Sequence, residues 1–157
     1  MTKHRDLAIP AIGSEFRLRP RPMTRERMRW YVDAQPTVAA DDGRVHTQEP
    51  TIHDDDDYAR SQGLPGIIAD GMVSTNWLLG LLIDVFGESV LERLKFSTKY
   101  VSPVHEDQIV IPCARVTRTV EEVSQGLRIE LDVWCEDDNR KVLTAGKATI
   151  FAPASVD

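Results

Sequence analysis

Apolar and polar positions follow different periods in the two halves of this chain. Between residues 71 and 86, apolar side chains occupy almost every position around a helix, whereas from residue 94 onward they alternate with polar ones. A helix that is apolar nearly all round has to be covered by protein on most sides, and a period of two is typical of strands with one buried face. The pattern predicts a long buried helix followed by an antiparallel sheet.

Capping and turn residues set the limits of these elements. The long helix is predicted over Gly71–Phe86, with Asp70 as its N-cap and Gly87 after its last turn. Asp137–Asn139 has the composition of a hairpin turn. Four strands are predicted in this half of the chain: Leu94–Val101, Ile109–Val120, Leu127–Glu136 and Val142–Phe151.

The N-terminal part of the chain is less regular. Glu15–Arg19 alternates like a strand, and Thr24 is placed to begin a helix that reaches about residue 34. Residues 36–52 are rich in proline, glycine and aspartate, which predicts a long loop of the kind that is often functional. A short helix is predicted over Asp54–Ser61, with Gly63 as its C-cap.

The order of these elements indicates an α+β domain with a hot-dog fold, in which an antiparallel sheet wraps around a long central helix. Curling the sheet is the simplest way to bury a helix that is apolar on most faces. We expect one domain over residues 1–157, which is long enough for a single hydrophobic core. Open sheet edges favour pairing with a second copy, so we expect a homodimer.

Composition narrows the possible functions. The formal net charge of −6 argues against a nucleic-acid surface. The most apolar run, residues 72–86, contains Asn76 and Asp84 and is too short to cross a bilayer. No export signal is recognisable, and Cys113 and Cys135 fall in predicted strands, so we expect a cytoplasmic protein with reduced thiols. No histidine or cysteine spacing indicates a metal site.

One basic cluster lies near the N terminus, where six arginines fall between residues 17 and 29. We interpret these arginines as the solvated face of the first strand and helix. The alternative is that they anchor the phosphates of a nucleotide-bearing carrier.

Three blocks of residues have a recognisable spacing. Ile52-His53-Asp54-Asp55, with Tyr58-Ala59, has the spacing (I/L)-H-x-D-x-x-(Y/F)-A, and Gly63–Met72 has the spacing G-x-P-x-(I/V)-(I/V)-x-x-G-M. Ser102–Asp107 is similar to x-P-V-x-x-G-D. Together the blocks resemble the MaoC-like family of R-specific enoyl-CoA hydratases and dehydratases. The resemblance covers most of the chain in order and implies the hot-dog fold and an acyl thioester substrate, carried by CoA or an acyl-carrier protein.

The resemblance implies that His53 is the catalytic acid and base. In the family, the histidine at this position works with an aspartate five residues upstream to add water to an enoyl thioester or to remove it. A histidine with an ordinary pKa of about 6.5 can exchange protons near neutral pH. The backbone N–H of Gly71, at a helix start, would stabilise the enolate oxygen, and glycine there would let the thioester approach closely. Met72 and Ser74, next to Gly71, are expected to contact the substrate.

The chain departs from the family pattern five residues before His53, where it has Gln48. Glutamine can orient a water molecule or a substrate oxygen, but it cannot act as a base. A carboxylate that replaces the missing aspartate would come from one of four positions: Glu49, Asp70, Asp41 or Asp42.

Three interpretations follow. The first, which we favour, is a hydro-lyase of acyl thioesters in which His53 acts alone or with a displaced carboxylate, without any metal or redox cofactor. The second is a catalytically silent subunit that supports a heteromeric partner carrying the complete aspartate and histidine pair. The third is a repurposed hot-dog enzyme, such as a thioesterase or a cyclase of secondary metabolism.

Overall fold

A computed structural model describes residues 9–34, 50–122 and 126–152 of the chain. The described strands are β1 Glu15–Arg17, β2 Arg21–Pro22, β3 Leu94–Tyr100, β4 Ile109–Glu122, β5 Gly126–Glu136 and β6 Val142–Ala152. The described α-helices are α1 Arg25–Ala34, α2 Asp56–Ser61 and α3 Gly71–Phe86, and a 3₁₀ turn over Glu88–Arg93 leads from α3 into β3.

The strands form an antiparallel sheet in the order β1-β4-β5-β6-β3, and β2 also pairs with β4. Strands β4, β5 and β6, which are consecutive along the chain, are antiparallel neighbours in the sheet, and β3 pairs with β6 at the edge. The turn between β5 and β6 is held by the carboxylate of Asp137, which accepts hydrogen bonds from the N–H groups of Asn139 and Lys141, each at 2.9 Å. The predicted hairpin at this point is therefore confirmed.

Helix α3 lies against the sheet and has the predicted bounds. It begins after Asp70, whose Oδ1 accepts a hydrogen bond from the Met72 N–H at 2.8 Å. It ends at Gly87, whose φ of 81° is readily available to glycine. The side chains that α3 buries are those of Val73, Ser74, Thr75, Leu78, Leu81, Leu82 and Phe86. An α+β hot-dog architecture, with an antiparallel sheet around a long helix, is therefore confirmed.

Protein covers α3 on most sides, as predicted, but one stripe of the helix stays open. Asn76 and Asp84 are exposed and Gly80 is half-buried. These residues are four positions apart, so they form one stripe along the helix. The polar residues that interrupt the apolar run therefore lie on the face of α3 that the sheet does not cover.

Helix α2 begins two residues later than predicted. The carboxylate of Asp54 turns back and accepts a hydrogen bond from the Thr51 N–H at 2.6 Å, so Asp54 belongs to the preceding turn. Asp55 is the N-cap, and its Oδ1 accepts from the Tyr58 N–H at 2.7 Å. Short aspartate side chains compete for backbone donors in this way before a helix starts.

Each of the strands β3 to β6 differs from its predicted limits by one or two residues at one end. Two boundaries in the N-terminal half differ as well. Strand β1 ends at Arg17 rather than Arg19, close to Pro20, which has no N–H to extend the ladder. Gln62 rather than Gly63 is the C-cap of α2. Gly63 follows it with a φ of 84°, the left-handed conformation that terminates many helices.

Arg25, the first residue of α1, ties together three segments of the chain. Its Nη1 donates to Asp56 Oδ2 at 2.8 Å and its Nε donates to Glu106 Oε1 at 2.9 Å. Asp56 Oδ1 also accepts from the Ile67 N–H at 3.0 Å. The hydrogen bonds from Arg25 lower the pKa of Asp56 to about 2 and hold the pKa of Glu106 below its usual value. This cluster joins the starts of α1 and α2 to the turn before β4.

We expect Arg25→Met to lower the midpoint of thermal unfolding most at pH 5 and above. Because folding lowers the pKa of Asp56 to about 2, this carboxylate stabilises the fold fully above its unfolded pKa, and the contribution is lost as the pH falls from about 4 towards 2. The difference in midpoint between wild type and variant should therefore shrink as the pH approaches 2. Thermal melts between pH 6 and pH 2.5 measure it.

Arg60→Met is the matched control for this experiment. Arg60 pairs with Asp57 at 3.0 Å, but the side chain of Asp57 is 98% exposed, and such surface pairs contribute little. We expect a small shift in the midpoint that does not change with pH. The assignment would be wrong if Arg25→Met and Arg60→Met gave the same pH profile.

Candidate active site

A cavity of about 500 Å³ opens beside the N-terminal end of α3. One wall comes from the segment that enters α3, another from the end of β3 and the turn after it, and β6 contributes a single residue. The lining residues are His53, Leu64, Ile68, Ala69, Asp70, Gly71, Ser74, Tyr100, Val101, Ser102, Pro103, Val104 and Thr144.

His53 is held at this cavity by the backbone of Ile68. The ring Nδ1 lies 2.9 Å from the Ile68 carbonyl oxygen. A carbonyl oxygen can only accept a hydrogen bond, so Nδ1 carries the proton, and the lone pair of the neutral ring is on Nε2. The Ile68 N–H in turn donates to the Ile52 carbonyl at 3.0 Å, which ties the two segments together. The backbone thus fixes both the orientation and the tautomer of the ring.

The acidic run after His53 has structural roles. Asp54 and Asp55 accept from backbone N–H groups, Asp56 pairs with Arg25, and Asp57 is exposed. In the described part of the chain, the Ile68 carbonyl is the hydrogen-bond partner of the His53 ring. His53 is therefore not a surface partner of its acidic neighbours.

The three sequence blocks converge on one short extended segment. The Ala69 N–H donates to the Val104 carbonyl at 2.8 Å, and Ile68 forms an isolated antiparallel bridge with His105. The segment before α3 therefore lies between the turn that carries His53 and the turn that precedes β4. In that second turn Asp107 has a φ of 60°, at the place where the family pattern has glycine.

Gly71, the first residue of α3, lines the cavity and has a backbone N–H at the helix start. The Met72 N–H is taken by the side chain of Asp70, and the Val73 N–H donates to the Asp70 carbonyl at 3.1 Å. The Gly71 N–H has no acceptor in the described part of the chain. An N–H at a helix start favours a negatively charged oxygen, because the helix dipole adds to the hydrogen bond.

Tyr100 packs directly on Gly71, which the sequence did not reveal. A Cβ at residue 71 would lie 2.6 Å from three carbon atoms of the Tyr100 ring. The Tyr100 hydroxyl lies 3.0 Å from Thr75 Oγ1 and donates to Met72 Sδ at 3.2 Å. The ring of Tyr100 fills the space that a side chain at residue 71 would take, so the missing Cβ makes room for this ring. The approach of a thioester to Gly71 stays a prediction. The only sequence signal is an aromatic residue at the strand end before the Ser-Pro-Val block.

The remaining predicted site residues divide into three groups. Asp70 and Ser74 line the cavity together with His53 and Gly71. Met72 is not part of the lining; its side chain is exposed and its sulfur faces the Tyr100 hydroxyl. Four candidate positions lie outside the described residues: Gln48, Glu49, Asp41 and Asp42.

Gly71→Ala is expected to destabilise the fold by about 1–3 kcal/mol, because the new methyl group would displace the Tyr100 ring. The two residues touch, so their effects should not be additive. In a Tyr100→Ala background the same Gly71→Ala change should cost much less. Chemical denaturation of the four proteins of this cycle measures the coupling, and purely additive effects would contradict the proposed contact.

Most arginines of the basic cluster contact other side chains of the same chain. Arg21 and Arg27 lie over the ring of Trp77, at 5.5 Å and 6.0 Å from its centroid. Arg17 pairs with Glu136, and Arg25 forms the cluster described above. These arginines therefore support the packing of β1, β2 and α1, beyond the solvated face predicted for them.

The described residues also bear on three other possibilities: a reactive thiol, a metal site and a membrane-spanning helix. Cys113 and Cys135 are free and buried, and burial raises the pKa of each thiol to about 12, so neither is a thiolate near neutral pH. Within residues 9–34, 50–122 and 126–152, no three histidine, cysteine or acidic side chains are grouped to hold a metal ion. The helices in the same ranges include none that is long and apolar enough to cross a membrane.

Comparison with known proteins gives structural relatives only. No family model and no curated protein sequence matches the chain. Among solved structures, R-hydratase PhaJ1 from Pseudomonas aeruginosa superposes with a TM-score of 0.70 at 17% identity, over 93% of this chain and 84% of the other. A MaoC-like dehydratase from Rhodospirillum rubrum gives a TM-score of 0.66 at 13% identity, over 90% and 93%.

A third relative is a complex. The C-terminally truncated HadBC complex (3R-hydroxyacyl-ACP dehydratase) from Mycobacterium tuberculosis gives a TM-score of 0.66 at 15% identity, over 93% of this chain and all of the matched one, at 100%. At such identities the likeness concerns the fold. The chain therefore has the hot-dog fold of the R-hydratases and MaoC-like dehydratases, as its three sequence blocks predict.

Proposed function

We propose that this protein is a hydro-lyase that adds water to enoyl thioesters or removes it from 3-hydroxyacyl thioesters. The observation that carries the proposal is the hydrogen bond from His53 Nδ1 to the Ile68 carbonyl. It leaves Nε2 as a base in a cavity that is also lined by Gly71, the first residue of α3. A base and an oxyanion donor at one cavity are what hydration of a conjugated thioester requires.

In this mechanism, His53 Nε2 accepts a proton from water as the water oxygen bonds to C3 of the enoyl group. The electron pair of the double bond moves towards the thioester, and negative charge develops on its oxygen. The Gly71 N–H donates to that oxygen. The protonated His53 then returns the proton to C2, which restores the neutral ring and gives the 3-hydroxyacyl product. Elimination follows the same steps in reverse.

Placement of the water needs a further polar group. Gln48 is proposed to orient the water, since it stands where the family has aspartate. The carboxylate of Glu49 or Asp70 is the alternative, and Asp70 already lines the cavity. The substrate would be a thioester of CoA or of an acyl-carrier protein. The sequence resemblance implies both carriers, and the name of the HadBC complex, a 3R-hydroxyacyl-ACP dehydratase, supports the second.

Hydration of crotonyl-CoA by the purified protein tests the proposal. We expect the absorbance of the conjugated thioester to fall without release of free thiol. Release of free CoA, detected with a thiol reagent, would instead indicate a thioesterase. No change in either signal would contradict hydro-lyase activity of the chain alone.

A second candidate is a silent subunit of a heteromeric hydratase. Gln48 favours it, because a subunit without the family aspartate can still shape the site of a partner that has one. The HadBC complex shows that a chain with this fold can be part of a complex. Activity that appears only after addition of a related hot-dog chain would support this candidate, whereas an active homodimer would exclude it.

A further inference from the structure

Two hydroxyl-bearing residues, Ser74 and Thr144, line the cavity, and their hydroxyls have no hydrogen-bond partner among the residues that the structure describes. Ser74 and Thr144 are each only 1% exposed, and both line the cavity. Neither side-chain hydroxyl makes a hydrogen bond within the described part of the chain, and neither is enclosed by protein on all sides. Thr75, their buried neighbour, shows the usual arrangement, since its hydroxyl lies 2.9 Å from Thr98 Oγ1 and 3.0 Å from the Tyr100 hydroxyl.

The fold brings the two residues to the same side of the cavity. Thr144 pairs with Cys135 of β5 on one side and with Tyr100 of β3 on the other. The thiol of Cys135 contacts the Ser74 carbonyl oxygen at 3.8 Å. The turn of α3 that contains Ser74 therefore packs against β5, next to Thr144 on β6. We call Ser74 and Thr144 the hydroxyl pair.

Ser74 of the hydroxyl pair lies about one helical turn after Gly71, the proposed oxyanion donor. Ser74 follows Gly71 by three residues, which is about 4.5 Å along the helix axis. A thioester whose carbonyl oxygen accepts from the Gly71 N–H would extend its acyl chain past this turn. The rest of the lining is mixed: Leu64, Ile68 and Val104 are apolar, whereas His53, Asp70 and Ser102 are polar.

We propose that the hydroxyl pair binds an oxygen on the acyl chain beyond C3. The proposal rests on the hydro-lyase function and narrows its substrate to thioesters of oxygenated acyl groups, with a hydroxyl or oxo substituent. Without such an oxygen, a plain alkyl chain would leave two buried hydroxyls unpaired, which is costly. A site built around polar groups rejects analogues that lack the matching group more strongly than an apolar pocket rejects an extra methylene.

Binding of saturated acyl-CoA pairs tests the proposal without catalysis. Each pair consists of an oxo-acyl chain and a methyl-branched chain of similar size, with the substituent at C4, C5 or C6. We expect the wild-type protein to bind the oxo compound at least about 10-fold more tightly in one of these pairs. Isothermal titration calorimetry gives both affinities.

Two near-isosteric variants assign the preference to the hydroxyl pair. Thr144→Val and Ser74→Ala should each reduce the preference, and the double variant should favour the methyl-branched chain. Thr149→Val is the matched control, because Thr149 lies on the same strand β6 but does not line the cavity. It should leave the preference unchanged.

The outcomes separate this proposal from the hydro-lyase function. Equal affinities within every pair, or no binding of any oxo-acyl-CoA, would overturn the role of the hydroxyl pair even if crotonyl-CoA is hydrated. A preference that is lost in Thr144→Val, in a protein that hydrates no enoyl thioester, would keep the binding role and refute the reaction.

Discussion

Replacement of His53 by glutamine is expected to lower kcat/KM for crotonyl-CoA hydration by about 10²–10⁴-fold, the usual contribution of a general acid and base. The glutamine amide can still donate to the Ile68 carbonyl, so the turn should keep its shape. It cannot take up a proton near neutral pH. The expected result is a folded protein, with an unfolding midpoint close to that of the wild type, that no longer hydrates the thioester.

His105→Gln is the control for this experiment. His105 lies on the other side of Ile68, with which it forms the isolated bridge, but it does not line the cavity. Its replacement should leave kcat/KM within a factor of about two to three. Initial rates and thermal melts of both variants test whether His53 is the catalytic base. If His53→Gln kept its activity, the base would have to be sought elsewhere.

Gly146→Ala is expected to cost about 3 kcal/mol of stability, a large effect for one methyl group. Gly146 of β6 pairs with Thr98 of β3, and a Cβ there would press against the carbonyl oxygen of Ser97. The obstacle is backbone, so no change of rotamer relieves it, and β3 would have to move away from β6. For a chain of this size we expect the unfolding midpoint to fall by roughly 10 °C.

Gly80→Ala provides the opposite expectation in the same protein. Gly80 lies within α3, and a Cβ there meets no atom of the described residues within 4 Å. Alanine is the better helix former by about 1 kcal/mol, so this variant should be slightly more stable than the wild type. The assignment of Gly146 to a close strand contact would be contradicted if both glycine variants melted alike.

A displacement of β3 would also change the cavity. Tyr100, at the end of β3, packs on Gly71 and pairs with Thr144. Gly146→Ala should therefore weaken acyl-CoA binding along with stability. The sheet edge is thus part of the site as well as of the core.

Local signals in the sequence predicted the elements near the site. Asp70 is the N-cap of α3, as its position before the apolar run indicates, and the helix has the predicted bounds. The motif around His53 marked the residue that lines the cavity. Such features depend on neighbours along the chain, whose spacing is visible in a linear sequence.

The roles of several polar residues depended on distant partners. Nothing in the sequence links Arg25 to Glu106, or Tyr100 to Gly71, because these residues are far apart along the chain. Asp55 could have been a partner for His53, but the nearby N–H of Tyr58 takes its carboxylate. Competition between local and long-range partners is settled only when the chain is packed.

By itself, the sequence determined the periodic elements, the helix start at Asp70 and the histidine block, because periodicity and capping act over a few residues. The tertiary structure decided which face of α3 stays open, which nitrogen of His53 carries the proton, and which hydroxyls line the cavity. These outcomes depend on burial and hydrogen bonding between segments that meet only when the sheet curls around the helix.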